Sequence, residues 1–495
     1  MACFLRFNYR VPSIPNWLKN RFALILANFR PAIKQPVKYG LITMLNLMLM
    51  FSHNSWAYSP YTTKELDELE KEFIQQINQS DSVLRNPLAI QYLNHLGKTL
   101  AHNAQLSAPY FFIVKSNEIN AFAGPGGYIG INSQLILSSE NESELAAVMA
   151  HEMAHVRLHH LYRMIEHEKQ MRIPMLASVL ASIALGVINP TLASGALMAS
   201  LSGVAQDSIN FTRANEKEAD RIGIDMLIKS GLDPRGMAGF FKKMQLSSRL
   251  YYRENIPAIL QTHPLDDDRI AEAENRCVHI KKSYADNLDY HLFKELVRTS
   301  VGSDNKQLLD YYQHQCRKNN NDISCQYGYI LTLLNLNQYQ QAEERLTPLL
   351  MQKSDNLYFE TAMALAETGR HQFASAIKRL SDMQANYPEN YAAIVSFAQS
   401  LMAANKPEQA ASVLLKGSRQ FKNDLPICQQ LAQAQAAANR KDYAYFTQAQ
   451  CELLQGRKNG ALNQLKLAKT LAKHDRLLQE RIDAKIEEIK FLAAK

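Results

Sequence analysis

The chain of 495 residues is 46% hydrophobic and 21% charged, with 19 Gly and 17 Pro, which excludes a collagen-like, wholly disordered or multi-pass membrane protein. Its formal charge of +8 owes most to Arg6, Arg10, Lys19, Arg21, Arg30, Lys34 and Lys38, all before Gly40 in a stretch without Asp or Glu. The rest is near neutral, so no electrostatic footprint for nucleic acid remains and none is expected as a partner.

The basic stretch leads into the apolar run Leu41 to Phe51 and then Ser55-Trp56-Ala57, small residues of the kind that precede a leader cleavage. Residues 1–57 read as a secretory signal peptide cut near Ala57, since so short an apolar run does not span a hydrocarbon layer of roughly 30 Å. Of the six cysteines, Cys3 falls in this leader, and Cys277, Cys316, Cys325, Cys428 and Cys451 show no C-x-x-C spacing, so no zinc ribbon or thioredoxin-like site follows. Cys428 and Cys451, on neighbouring helices, are candidates to pair in an oxidising compartment; small buried thiols are the other reading.

From residue 58 the apolar residues recur every three to four positions in two segments, TKELDELEKEFIQQI and PLAIQYLNHLGKTLAHNA, which predicts two amphipathic helices. Tyr110 to Val114 and Tyr128 to Ile131 are strand-like and are separated by Gly124-Pro125-Gly126-Gly127, so a small sheet is expected. A helical run begins at Ser138, with Glu140, Glu142 and Glu144 near its positive end, and continues through His160. Residues 174–206 are strongly apolar but broken by Asn189-Pro190. They read as a buried helical hairpin or as one facing a membrane surface or client.

Further on, Ala364, Ala398 and Ala432 recur at a spacing of 34 residues, as do Ala342, Ala376, Ala410 and Ala444, and Leu346, Leu380 and Leu414. This is a tetratricopeptide period: each unit gives two antiparallel helices with small residues at their close crossings. Pro388 ends the second unit, the Trp expected early in each repeat is absent, and after Gln455 the frame blurs toward a closing helix over Leu477 to Leu492. The fold class is therefore α+β, mostly α. The domains expected are a metal-site domain at 58–285 containing the hairpin, a helical linker at 286–320 and a repeat solenoid at 321–495.

Within AAVMAHEMAHV lies His151-Glu152-Met153-Ala154-His155, an H-E-x-x-H pattern. One helical turn puts His151 and His155 on one face, where both rings reach one metal ion, and Glu152 beside them can take a proton from the attacking water. The metzincin continuation is absent, because Leu158 and Leu161 stand where Gly and His would be required. His159 and His160 lie too far along the helix to complete a compact tetrahedron and read as surface residues or as backing for the ligands. Glu216 of Glu216-Lys217-Glu218-Ala219-Asp220 is the better third ligand, and Asp220, one turn on, can bond a ligand His or the reacting substrate. His263 by itself is a loop His before Pro.

His151 to His155, followed by Asn215 to Gly223 (NEKEADRIG), resembles the gluzincin family of HtpX and the CAAX prenyl proteases. Thr262-His263-Pro264-Leu265 with Arg269, the leader and the repeat tail narrow the likeness to periplasmic members of Gram-negative bacteria that act as proteases and chaperone-like factors. The resemblance implies one Zn2+ per chain on His151, His155 and Glu216, Glu152 as general base and Asp220 as a transition-state donor. It also implies that His263 can occupy the fourth metal position as a latch. Asn120-Ala121-Phe122-Ala123 resembles the family's active-site edge, and Asn120, Phe122, Gly127 and Tyr128 are the candidate substrate edge, with Tyr128 to Asn132 able to pair with an extended chain. The glycines fit a plain hairpin turn equally well. Implied partners are unfolded or stalled outer-membrane proteins and, through the repeats, the outer-membrane barrel assembly machinery, with peripheral membrane contact. An adaptor or chaperone whose metal site is structural or latched is the competing reading, and a membrane-embedded protease is a third.

Overall fold

A computed structural model describes residues 63–167, 206–250, 257–319 and 321–493. The expected leader and, but for its last residue, the expected apolar hairpin lie outside the described residues. Among these residues no helix is long and apolar enough to cross a membrane.

The two N-terminal amphipathic segments form helices α1 (Thr63–Gln79) and α2 (Pro87–Asn103), with a two-residue strand, β1 (Val83–Leu84), between them. Asn86 caps α2 by accepting from the amides of Leu88 and Ala89, and Pro87 at the first helical position gives up an amide that would have lacked a partner. Three strands follow, β2 (Tyr110–Val114), β3 (Ala121–Ala123) and β4 (Tyr128–Asn132), and the sheet order is β1-β2-β4-β3. β4 runs parallel to β2, with Phe111 opposite Ile129, and antiparallel to β3, with Phe122 opposite Gly130. Pro125–Gly127 makes the turn of the β3–β4 hairpin, where Gly126 (φ 71°) and Gly127 (φ 77°) take left-handed conformations that cost other residues strain.

This pairing corrects one expectation. Tyr128 to Asn132 is paired with a strand on both sides, whereas β3 is an edge strand, as is β1 at the other end of the sheet. Sequence pattern missed β3 because three residues next to a Gly-rich turn show no readable alternation.

Phe111, Ile113, Ile129 and Ile131, all fully buried, form one side of the sheet and share a core with Leu93, Leu96 and Leu100 of α2. Each such side chain contributes roughly 1.5–3 kcal/mol by leaving water. Phe112 and Val114 on the other face meet Phe73 and Ile77 of α1. After α3 (Ser133–Ser138), the long central helix α4 (Glu142–Arg157) begins four residues later than the acidic run suggested. Asn141 sets that start by accepting from the amide of Glu144. α5 (His160–His167), α6 (Gln206–Lys229), α7 (Arg235–Leu250), α8 (Ala258–Thr262) and α9 (Asp267–Cys277) complete this part.

Two helices, α10 (Leu288–Val301) and α11 (Asn305–Lys318), occupy the expected linker. α10 docks on the sheet-bearing part: Phe293 stacks on Tyr92 at 4.4 Å between ring centroids, and Tyr290 donates to the carbonyl of Ser139 at 2.9 Å. Then come α12 (Ile323–Asn335), α13 (Tyr339–Gln352), α14 (Leu357–Gly369), α15 (Phe373–Asn386), α16 (Tyr391–Ala403), α17 (Pro407–Gln420), α18 (Leu425–Ala437) and α19 (Lys441–Leu454). Every second one of these starts 34 residues after its counterpart. The frame then breaks at α20 (Lys458–Leu471), and α21 (Arg476–Ala493) closes the chain.

The small residues of the period sit where helices cross: Ala342, Ala376, Ala398 and Ala410 are fully buried. Asp322, Asn356, Asn390 and Asp424 cap alternate helices through their side chains, and Asn337, His371, Asn405 and Asn439 hold left-handed turns between helices. Disulfides join Cys316 to Cys325 and Cys428 to Cys451, while Cys277 is a buried free thiol. The solenoid touches the sheet-bearing part again where Tyr391 donates its amide to Gln91, and where Asn78 and Gln79 donate to the carbonyls of Leu454 and Gln455.

Candidate metal centre and active site

The site is built on α4. His151 and His155 stand one turn apart on it, and their Nε2 atoms lie 2.9 Å from each other. Glu152 is 1% exposed. α6 crosses α4 closely at Gly223, where a Cβ would stand 3.3 Å from the backbone nitrogen of His151. That approach delivers Glu216 and Asp220, both buried, from α6 to the histidines.

Glu216 carboxylate oxygens lie 3.2 Å from His151 Nε2 and 3.4 Å from His155 Nε2. His263, at the end of α8, completes the cluster: its Nδ1 is 3.3 Å from His151 Nε2 and 3.1 Å from Glu216 Oε1. Its Nε2 is 3.4 Å from Glu152 Oε1. The donor atoms of His151, His155, Glu216 and His263 all lie within 4.8 Å of one another. Four ligands each 2.0–2.1 Å from a central zinc would be about 3.3 Å apart, so the residues present fit such an ion.

Burial and the neighbouring charges act against each other on these groups. Burial opposes charge on His151, but Asp220 and Glu216 outweigh it and raise its pKa to about 10. Burial, reinforced by the imidazoles of His151, His263 and His160, holds His155 well below the ordinary histidine range despite Glu216. Burial would likewise push Glu216 up, but His263, His155 and His151 hold it well below the usual carboxylate range.

Asp220 lies on the far side of His151, with Oδ1 2.9 Å from Nδ1. Arg269, 3% exposed, grips both Asp220 oxygens at 2.7 and 2.8 Å, and its Nη1 donates to the carbonyl of Pro264 at 2.6 Å and lies 3.1 Å from Glu216 Oε2. Of the two roles open to Asp220, orienting a ligand His is the one its position serves. Behind a ligand ring and clamped by a guanidinium, it does not face the cleft as a transition-state donor would.

A cleft of about 460 Å3 opens beside the cluster, lined among others by Phe122, Gly127, Glu152, His155, His159 and His263. Asn120 stands at the start of β3, where its Oδ1 accepts from the amide of Ala121 and from Thr262 Oγ at 3.5 Å. The amide of Ile259 donates to the carbonyl of Ile119, which ties the helix bearing His263 to this edge. Tyr128 is not part of the cleft: its ring packs against Phe73 and Tyr110. The Gly-rich segment is both a hairpin turn and a cleft wall.

Two contributors stand out in the folded site, Arg269 and His160, the second settling between the surface and backing positions open to it in the sequence. Arg269 was noticed only within a motif; the signal for it was a basic residue one turn into an acidic helix start, next to the Pro264 loop. His160 is 4% exposed and lies directly behind His155.

Residues 87–277 match peptidase family M48, and residues 368–435 match the tetratricopeptide repeat. The chain is 33% identical over 425 residues to the beta-barrel assembly-enhancing protease of Escherichia coli K12, covering 85% of this chain and 87% of that one. It is 32% identical to the protein of the same name from Yersinia pestis, over 85% of this chain and 87% of that one. A shorter likeness, 27% over 162 residues, links it to the mitochondrial metalloendopeptidase OMA1 of Bos taurus, over 32% of this chain and 30% of that one. A metal-ligand cluster of the type described, followed by tetratricopeptide helices, thus belongs to a known lineage: the chain is a metalloprotease of peptidase family M48, in the group of the beta-barrel assembly-enhancing proteases.

Proposed function

We propose that this chain is a zinc endopeptidase of the periplasm that degrades, or assists as a chaperone-like factor, misassembled outer-membrane β-barrel proteins. The observation that carries the reading is the convergence of His151, His155, Glu216 and His263 beside the buried carboxylate of Glu152. His151, His155 and Glu216 would hold the metal, and His263 stands where it could supply a fourth donor. When bound there, zinc polarises the scissile carbonyl and acidifies water.

Glu152 takes the proton of the attacking water and returns it to the leaving amine; it is buried in the wall of the cleft beside the cluster, where it can reach that water. Asp220 orients His151, and Arg269 fixes Asp220, Glu216 and the loop after His263 together. An extended substrate adds to β3 and passes between Ala123 and Glu152, which selects unfolded chains. The two disulfides suit an oxidising compartment such as the periplasm, and the names of the relatives suit β-barrel clients. The metalloprotease domain extends over 58–285, and the solenoid offers surfaces to partner proteins, among them the barrel assembly machinery.

A second reading has an observation of its own. Because His263 Nδ1 already stands in the donor set, a permanently latched chain would act as an adaptor with a structural metal. The test is cleavage of an unfolded outer-membrane barrel protein by zinc-loaded chain carrying His263→Ala, with and without Glu152→Gln. Faster cleavage than by the parent, falling roughly 10²–10⁴-fold with Glu152→Gln at unchanged zinc content, supports the peptidase with a latch. No cleavage by any form with stoichiometric zinc moves the assignment to the adaptor.

A further inference from the structure

The two ligand histidines of α4 are supported differently. His151 has Asp220 directly behind its Nδ1, whereas His155 Nδ1 faces another imidazole: His160 Nδ1 is 2.9 Å away. On the opposite side of that ring, His160 Nε2 lies 3.4 Å from Glu218 Oε2, which also accepts from Arg163 at 3.0 Å. The chain of contacts therefore runs from Arg163 through Glu218 and His160 to His155.

The backbone is bent to make this contact. α4 ends at Arg157, Leu158 is its cap, and His159 turns left-handed at φ 53°, an uncommon conformation for a residue other than glycine. Without that turn a continuing helix would carry residue 160 further along the axis and around it, off the face of His155. Instead His159, itself exposed, lets α5 start at once, its carbonyl accepting from the amide of Arg163 at 2.8 Å, and places His160 under His155. A backbone cost at one residue that buries a polar ring at the next points to a role for that ring.

We infer that His160 is the positioning residue for His155, holding its proton on Nδ1 so that Nε2 keeps a lone pair for the metal. The inference rests on the proposed reading of His155 as a ligand. With His155 Nε2 reserved for the metal and both rings neutral, one arrangement of protons satisfies the contacts. Glu218 accepts from His160 Nε2–H, and His160 Nδ1 accepts from His155 Nδ1–H. His155 Nε2 is left bare toward Glu216 and His151. The site thus has two carboxylates behind its two histidines, Asp220 directly and Glu218 through a relay, both from the helix that supplies Glu216. A metal-ligating His requires such a partner, and its loss typically weakens binding.

The experiment measures Zn2+ affinity of the full chain by chelator competition, with the ligand-field spectrum of the Co2+ form as a second readout, in the parent and in His155→Ala, His160→Leu, His160→Asn and Glu218→Ala. His160→Leu is expected to bind Zn2+ about 10–100-fold more weakly and to alter the Co2+ spectrum. His160→Asn, whose side-chain oxygen can accept in place of Nδ1, is expected to stay within roughly threefold of the parent. Glu218→Ala, at a partly exposed site, should shift in the same direction by a smaller factor. Parental affinity in His160→Leu, or equal losses in the Leu and Asn variants, overturns the inference; if His160→Leu does not fold, parental affinity in Glu218→Ala does so. A parent that binds no stoichiometric zinc, or a His155→Ala variant that binds as well as the parent, instead overturns the metal centre on which the inference stands.

Discussion

The metal centre and the repeat solenoid both bring helices into close contact, but they fill the contact with opposite chemistry. Around α4, Glu152, Glu216, Asp220 and Arg269 are each no more than 5% exposed, and each has a charged or ring-nitrogen neighbour from another segment. Between the solenoid helices the buried positions are largely Ala and Leu, with Glu367, held by Arg379, as a buried ion pair. Burying charge is favourable only while every partner stays in place, whereas apolar contacts lose stability in proportion to what is removed. The centre should therefore fail all at once and the solenoid by degrees.

Arg269 offers the strongest test of that contrast. It bonds both oxygens of Asp220 and the carbonyl of Pro264 and stands beside Glu216, so one substitution removes a partner from α6 at two positions and from the loop after His263. Arg269→Leu is expected to lower stability by about 3–5 kcal/mol, because Asp220 stays buried with its charge less compensated. Arg269→Lys should recover little, since an ammonium cannot bond two carboxylate oxygens in the same plane. Denaturant unfolding followed together with zinc content would check both; a small loss with zinc retained would show that the clamp is not needed.

The solenoid carries its own constraint in Cys428–Cys451, which closes a separation of 23 residues. Replacing both with Ser is expected to cost about 2–4 kcal/mol, mainly by freeing the unfolded chain, and to leave zinc content unchanged. Urea unfolding of the parent and the double variant is the measurement. A coupled loss of zinc would mean that strain in the solenoid reaches the centre through contacts such as Gln91 with Tyr391.

The same contrast explains what the sequence revealed. Periodic features were readable: the first two helices, the strands at Tyr110 and Tyr128 and the 34-residue frame all follow from repeated burial on one face. The Asx residues at 322, 356, 390 and 424 carry the same frame and mark the start of every second helix. His151, Glu152 and His155 were legible because one helical turn fixes their relation locally. The role of Arg269, the choice between surface and backing for His160 and the strand pairing of β3 were not, since each depends on segments brought together only by folding. Asp220 shows where the boundary lies: its spacing from Glu216 gave its helix face, but only the packing of α6 against α4 decided which side of His151 it occupies. The pairing of Cys316 with Cys325 was hidden similarly, because the expected linker at 286–320 is a pair of helices, the second of which packs on α12.

The smallest effect tests the gradual side of the comparison. Ala410 is fully buried in a cluster with Leu401, Leu414 and Ile427, at the α16–α17 crossing, and belongs to the Ala series of the repeat. Ala410→Leu adds volume where packing leaves none, and it should cost about 1–3 kcal/mol as side chains leave their preferred rotamers. Each repeat contacts chiefly its neighbours, so the loss should appear in the unfolding of the solenoid while zinc affinity and cleavage at 25 °C stay at the parental level. If cleavage falls while the chain remains folded, the α16–α17 crossing is transmitting to the centre, and α2, which touches α16 on one side and α4 on the other, is the element that could carry it.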